Sequence, residues 1–145
     1  MSQAARAKSN TQEVQIQSDD VTLTGDLTIP RGATGVVLFA HGSGSSRHSP
    51  RNQFVARTIQ NAGLGTLLFD LLTREEEAID TYTRHLRFDI GLLTERLINA
   101  TSWLEGEFDY MRAGYFGAST GAAAALVAAA ELGEMVGAVV SRAGG

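Results

Sequence analysis

The chain has 145 residues, 43% of them hydrophobic and 19% charged, with a net charge of −4 and no cysteine. That composition fits one ordinary globular domain with a single substantial core, and it excludes disulfides, thiol catalysis and cysteine-ligated zinc. The acidic balance argues against nucleic acid, which calls for clustered Lys and Arg.

The opening MSQAARAKSNTQEVQ has no apolar stretch, so residues 1–12 are expected to be a disordered polar lead-in and not a secretory signal. The most apolar run, Ala122 to Ala130, is far short of the roughly 20 residues of a membrane span. A soluble, cytoplasmic protein with no membrane partner is expected. Glu13–Gln17 and Val21–Ile29 alternate apolar and polar residues around the turn signal Ser18-Asp19-Asp20, predicting an antiparallel hairpin. Gly35–Ala40 is continuously apolar, as a parallel strand buried on both faces requires.

The polar loop His41–His48 follows. Ser49 can cap a helix with Pro50 in its first turn, and Phe54, Val55, Ile59 and Ala62 continue it to a stop at Gly63. Gly65–Asp70 repeats the buried-strand pattern, and Leu71–Tyr82 reads as a polar connection. From Thr83 to about Leu104, Leu86, Ile90, Leu93, Leu97 and Leu104 share one helical face. Arg112–Phe116 predicts a strand, Ser119–Leu132 a helix and Val136–Val140 a last strand. This order predicts a three-layer α/β/α fold with a mostly parallel sheet and an N-terminal antiparallel hairpin, in one domain.

The stretch GYFGASTGAA, Gly114 to Ala123, carries the chemistry. A serine hydroxyl becomes a useful nucleophile when a tight strand-to-helix turn holds it clear of the backbone and beside a base. Gly117 and Gly121 relieve the clashes of such a turn around Ser119, and the Thr120 amide at the helix start can face a developing oxyanion. The competing interpretation is a helix-capping serine in a glycine-rich turn. His41-Gly42-Ser43-Gly44 follows a buried strand, where Ser43 or Gly42 can supply a second oxyanion amide. The competing interpretation is a plain glycine turn or a phosphate-cradling loop. A P-loop would need Gly-Lys-Ser/Thr, and a dinucleotide fingerprint a third glycine.

The segments VVLFAHGSGSSRHSPRN, TLLFDLLT, TRHLRFDIGLL, GYFGASTGAAAALVAAA and VGAVVSRAGG, spanning Gly35 to Gly145, together resemble the N-terminal part of an α/β-hydrolase, most closely the dienelactone-hydrolase-like branch. The resemblance implies Ser119 as nucleophile and the Ser43 and Thr120 amides as oxyanion donors. Dienelactone hydrolases commonly carry cysteine at the elbow, so Ser119 points to the wider family of esterases. The resemblance also places the triad acid and histidine after strands beyond Val140, so the chain is expected to be a truncated hydrolase fold lacking its last strands.

Within the chain His48 is the leading candidate base, although its loop position suits pocket shaping, and His41 is a second candidate. His41 is expected to pack beneath the oxyanion loop, and His85 to open a helix. Asp70 is expected to cap a loop, with the alternative of a triad acid. Glu75-Glu76-Glu77 reads as a solvated face, Arg47 and Arg51 as surface cations able to steer an anion, and Trp103 and Tyr110 as packing residues. No cofactor or metal is implied. Two functions remain open: a serine esterase acting on a small ester, or a non-catalytic hydrolase half. The second would self-assemble as a homo-oligomer, or bind a complementing chain, through the unpaired edge at 136–140.

Overall fold

A computed structural model describes residues 11–41, 47–83, 89–108, 111–118, 120–133 and 136–142. β1 (Thr11–Ser18) and β2 (Val21–Thr28) form the predicted hairpin. Its turn uses Asp19 at φ 53°, a left-handed conformation that a short polar side chain tolerates. The strand begins inside the stretch expected as lead-in, because Thr11 pairs with Thr28 and their hydroxyls share a 2.6 Å hydrogen bond. Val14, Ile16, Leu23 and Leu27 turn inward from the pair.

β3 (Gly35–Ala40) is followed by α1 (Pro50–Asn61), where Ser49 Oγ accepts from the Asn52 N–H and Pro50 occupies the first turn. β4 (Gly65–Phe69) comes next. α2 (Arg74–Thr83) then replaces the expected polar connection. It was invisible to periodicity because it has almost no apolar stripe, with Ile79 and Tyr82 exposed at 59% and 89%. Polar anchors hold it instead. Thr73 Oγ1 accepts from the Glu76 N–H at 3.1 Å, and Glu76 Oε1 accepts from the Thr73 N–H at 2.9 Å, a reciprocal capping box.

α3 (Ile90–Glu107) starts later than Thr83, at the cap formed by Asp89 Oδ1 and the Leu92 N–H at 3.0 Å. His85 and Leu86 lie outside the described residues. β5 (Arg112–Ala118), α4 (Thr120–Leu132) and β6 (Val136–Arg142) complete the chain order.

The described strands form one sheet in the order β1-β2-β4-β3-β5-β6. β4, β3, β5 and β6 are parallel, and the hairpin joins antiparallel through β2 against β4. α3 and α4 cover one face. There Leu38, Leu67, Phe69, Leu97, Leu104 and Tyr115 form the main core; burying each such side chain contributes about 1.5–3 kcal/mol. Ala124, Ala125 and Ala128 of α4 are fully buried, so small side chains let that helix sit close. Tyr115 is pushed up to about 12 in pKa by burial, with its phenol 2.5 Å from the Thr101 hydroxyl.

α1 covers the opposite face through Ala56, Val55 and Ile59 over Phe39, Leu68 and Phe116. The three layers are therefore as the sequence predicts. β6 ends the sheet, paired only with β5 among the described residues, and Val140 is 56% exposed.

β3 is where the topology reverses. The chain leaves it for α1 and β4 on one side, whereas β5 lies on the other. α1, which follows β3, covers one face and α4, which follows β5, covers the other; such a switch point is the usual place for a ligand in an open parallel sheet.

Candidate functional site at the end of the third and fifth strands

β5 ends at Ala118 and α4 begins at Thr120, which leaves a single position, Ser119, for the turn. Ser119 lies outside the described residues, as do Gly42, Ser43 and Gly44 of the facing loop. The flanking glycines are described, and neither could carry a side chain. A Cβ on Gly117 would stand 2.7 Å from Ala122 Cα and 2.9 Å from the Gly121 carbonyl oxygen. A Cβ on Gly121 would overlap the Ala40 carbonyl oxygen and stand 2.5 Å from that of His41. The first turn of α4 thus rests directly on the main chain where β3 ends. The two loops expected to carry oxyanion amides start from this contact.

His41 is buried, and its Nε2 accepts a hydrogen bond from the Leu71 N–H at 3.1 Å. An imidazole used this way holds the strand ends together. That bond ties the carboxyl end of β3 to the chain leaving β4.

Arg47 departs from its expected place as a surface cation. Its side chain is only 14% exposed and sits among three carboxylates. Nε meets Asp70 Oδ2 at 3.1 Å and Nη1 meets Asp26 Oδ2 at 3.3 Å. Nη2 lies 3.6 Å from Glu13 Oε2. The Arg47 N–H also donates to Asp70 Oδ1 at 2.9 Å, so Asp70 is the satisfied loop-capping carboxylate. The partners come from β1, β2 and the end of β4, and no local pattern in the sequence announces such a cluster. Arg47→Met keeps the apolar stem but leaves these carboxylates without their cation. It is expected to cost about 2 kcal/mol, read as a lower urea midpoint. An unchanged midpoint would mean that solvent satisfies the carboxylates equally well.

His48 is exposed and lines a cleft of about 760 Å³ with Asp70, Thr73 and Glu76. The structure thus brings His48 and Asp70 to one cleft, while Thr120, Gly121 and His41 gather at the turn. None of the last three lines that cleft. Glu76 is no solvated residue. Both of its oxygens engage the Arg96 guanidinium, Oε2 at 2.6 Å, and Arg96 Nη1 also donates to the Leu71 carbonyl at 3.0 Å. The Arg96 bond holds the Glu76 carboxyl below its ordinary pKa, against the opposing effect of burial.

Arg51 is exposed on α1, and Trp103 packs partly buried against the main core. Tyr110 lies outside the described residues. Among the described residues no group of three or more His, Asp or Glu could hold a metal ion. No described helix is long and apolar enough to cross a membrane.

No family model matches the chain. A solved dienelactone hydrolase from Anabaena variabilis is 63% identical, with a TM-score of 0.88, over 92% of this chain and 63% of that one. A Pyrococcus furiosus esterase is 25% identical (TM-score 0.69), with 86% of this chain and 48% of that one covered. An alpha-beta serine hydrolase homologue from Coxiella burnetii shares the fold at 18% identity and a TM-score of 0.72, covering 90% and 61%. A curated relative in Mycobacterium tuberculosis, provisionally named a phosphoribosyl transferase, is 55% identical over 135 residues. That match takes in 92% of this chain and 30% of the relative. The chain thus spans under two thirds of the solved dienelactone hydrolase and under a third of the curated relative. With its sheet order, its glycine-lined turn and these likenesses, the chain has the fold of part of an α/β-hydrolase, similar to that of the solved dienelactone hydrolase.

Proposed function

We propose that the chain carries the nucleophile half of a serine hydrolase acting on a small carboxylic ester. The observation that supports this most is the pair of side-chain-free contacts at Gly117 and Gly121, the two glycines that flank position 119 in the sequence. In this reading Ser119 Oγ attacks the ester carbonyl carbon and the carbonyl electron pair moves onto oxygen. The amides of Ser43 and Thr120 hydrogen-bond that oxygen, the alcohol leaves with a proton, and water then releases the acyl group. The serine proton passes to a general base. The triad histidine and acid belong, in this reading, to the portion that relatives carry beyond the match, with His48 the candidate inside the chain.

The phosphoribosyl transferase name belongs to a protein most of which lies outside the match, so it gives little support to that chemistry here. A second reading is favoured by one observation: among the described residues β6 has a partner on one side only. On that reading the chain is a binding module, joined through residues 136–140 to another copy or to a complementing chain.

Incubation with a fluorophosphonate followed by intact-mass measurement separates the two. A single adduct, absent in Ser119→Ala, is expected for the hydrolase. Folded protein that takes no adduct, even when joined to the portion that relatives carry beyond the match, would sink that reading in favour of the binding module.

A further inference from the structure

The hydroxyl of Thr120 is buried and has no hydrogen-bond partner, a state shared among the described residues only by the Thr94 hydroxyl. A polar atom left so is a standing cost to the fold, because unfolding would return it to water. Valine has almost the same shape and would carry no such cost. The position is therefore poorly explained by stability.

Its surroundings supply a use. Thr120 is the first residue of α4, directly after Ser119 and directly before Gly121. Gly121 rests on the Ala40 and His41 carbonyls, where the chain departs from β3. Thr120 thus stands at the meeting of the two strand ends, where the topology of the sheet reverses. Burial also keeps competing water from the hydroxyl, which strengthens any hydrogen bond it makes.

We infer that the Thr120 side chain is a substrate-binding group, whose hydroxyl donates a hydrogen bond to the ester carbonyl oxygen as that oxygen becomes an oxyanion. It acts beside the backbone amide of the same residue, and it rests on the reading of Ser119 as nucleophile. As the Ser119 Oγ–carbon bond forms, the carbonyl electron pair moves onto oxygen and the serine proton goes to the general base. Thr120 keeps its proton throughout and contributes only a donor.

The test compares the wild type with Thr120→Val and Thr120→Ser. It measures the fluorophosphonate labelling rate, in which the phosphoryl oxygen takes the oxyanion's place, and the melting temperature without ligand. Thr120→Val is expected to label about 10²-fold more slowly, the usual loss for one oxyanion donor. It should nevertheless melt higher than the wild type, by roughly 2–4 °C. Thr120→Ser should recover labelling to within a few-fold. Wild-type labelling by Thr120→Val, or a lower melting temperature in that variant, overturns the inference, since the second result would make the hydroxyl a structural one. Failure of the folded wild type to label removes the Ser119 reading and this inference with it, a result that does not depend on residue 120.

Discussion

Gly121→Ala is expected to lose about 4 kcal/mol or more of stability, a large share of the 5–15 kcal/mol typical of a domain. The added methyl would overlap the Ala40 carbonyl oxygen and press on that of His41. Both are backbone atoms and cannot rotate aside. β3 is held by β4 and β5 on its two sides, and α4 packs with its alanines against the core, so neither partner can give way cheaply. At this chain length the loss corresponds to a fall in melting temperature of about 10 °C or more. Gly106→Ala in α3 is the matched control. Nothing lies within 4 Å of its added methyl, and alanine favours helix over glycine by about 0.5–1 kcal/mol. If the two variants melt alike, the strand-to-helix contact is not what the geometry describes.

Glu76→Gln should cost about 2 kcal/mol at neutral pH. Arg96 is only 7% exposed in its side chain, and losing its counter-charge leaves a nearly buried cation to be held by the Leu71 carbonyl and an amide. Glutamine can still accept the Thr73 N–H, so the helix cap survives and the loss isolates the ion pair. Acid supplies the second readout. The Glu76 carboxyl is held below its ordinary value of 4.5 in the folded chain, so the folded state binds fewer protons there than the unfolded one. Its contribution is complete above about 4.5 and disappears as pH falls through the lowered folded value. The stability gap between wild type and Glu76→Gln should therefore narrow in acid, measured by urea unfolding at pH 7 and pH 3. A gap of equal size at both values would refute the assignment.

What could be seen in the sequence was what is local. Alternation exposed the hairpin, continuous apolar runs exposed the parallel strands, and Ser49-Pro50 marked the start of α1. The glycine pattern around Ser119 was legible for the same reason, since it lies within five residues, whereas the contact of Gly121 with Ala40 and His41 was not. α2 was missed because its stability comes from Thr73, Glu76 and Arg96. The last of these is 20 residues from its carboxylate partner, and periodicity cannot register a helix held by charge. The start of α3 was misplaced because Leu86 continues the apolar spacing past Asp89, which the structure uses as a cap. Around the site, the bond from Leu71 to His41 spans 30 residues and the Arg47–Asp70 pair 23. Such pairings follow from the order of strands in the sheet, which composition and spacing do not specify.

The contact between Gly121 and the end of β3 is made by main-chain atoms on one side and an absent side chain on the other. It is therefore blind to what residue stands at position 40 or 41. Substitutions along the cleft wall, in the loop after β3 or on α2 can accumulate without loosening the turn, provided the two glycines stay. Where a molecule's reactive geometry depends on side chains, new specificity must be traded against it. Here the contact that seats the first turn of α4 on the end of β3 is set apart from the side chains of the cleft, so the two can vary independently, one residue at a time.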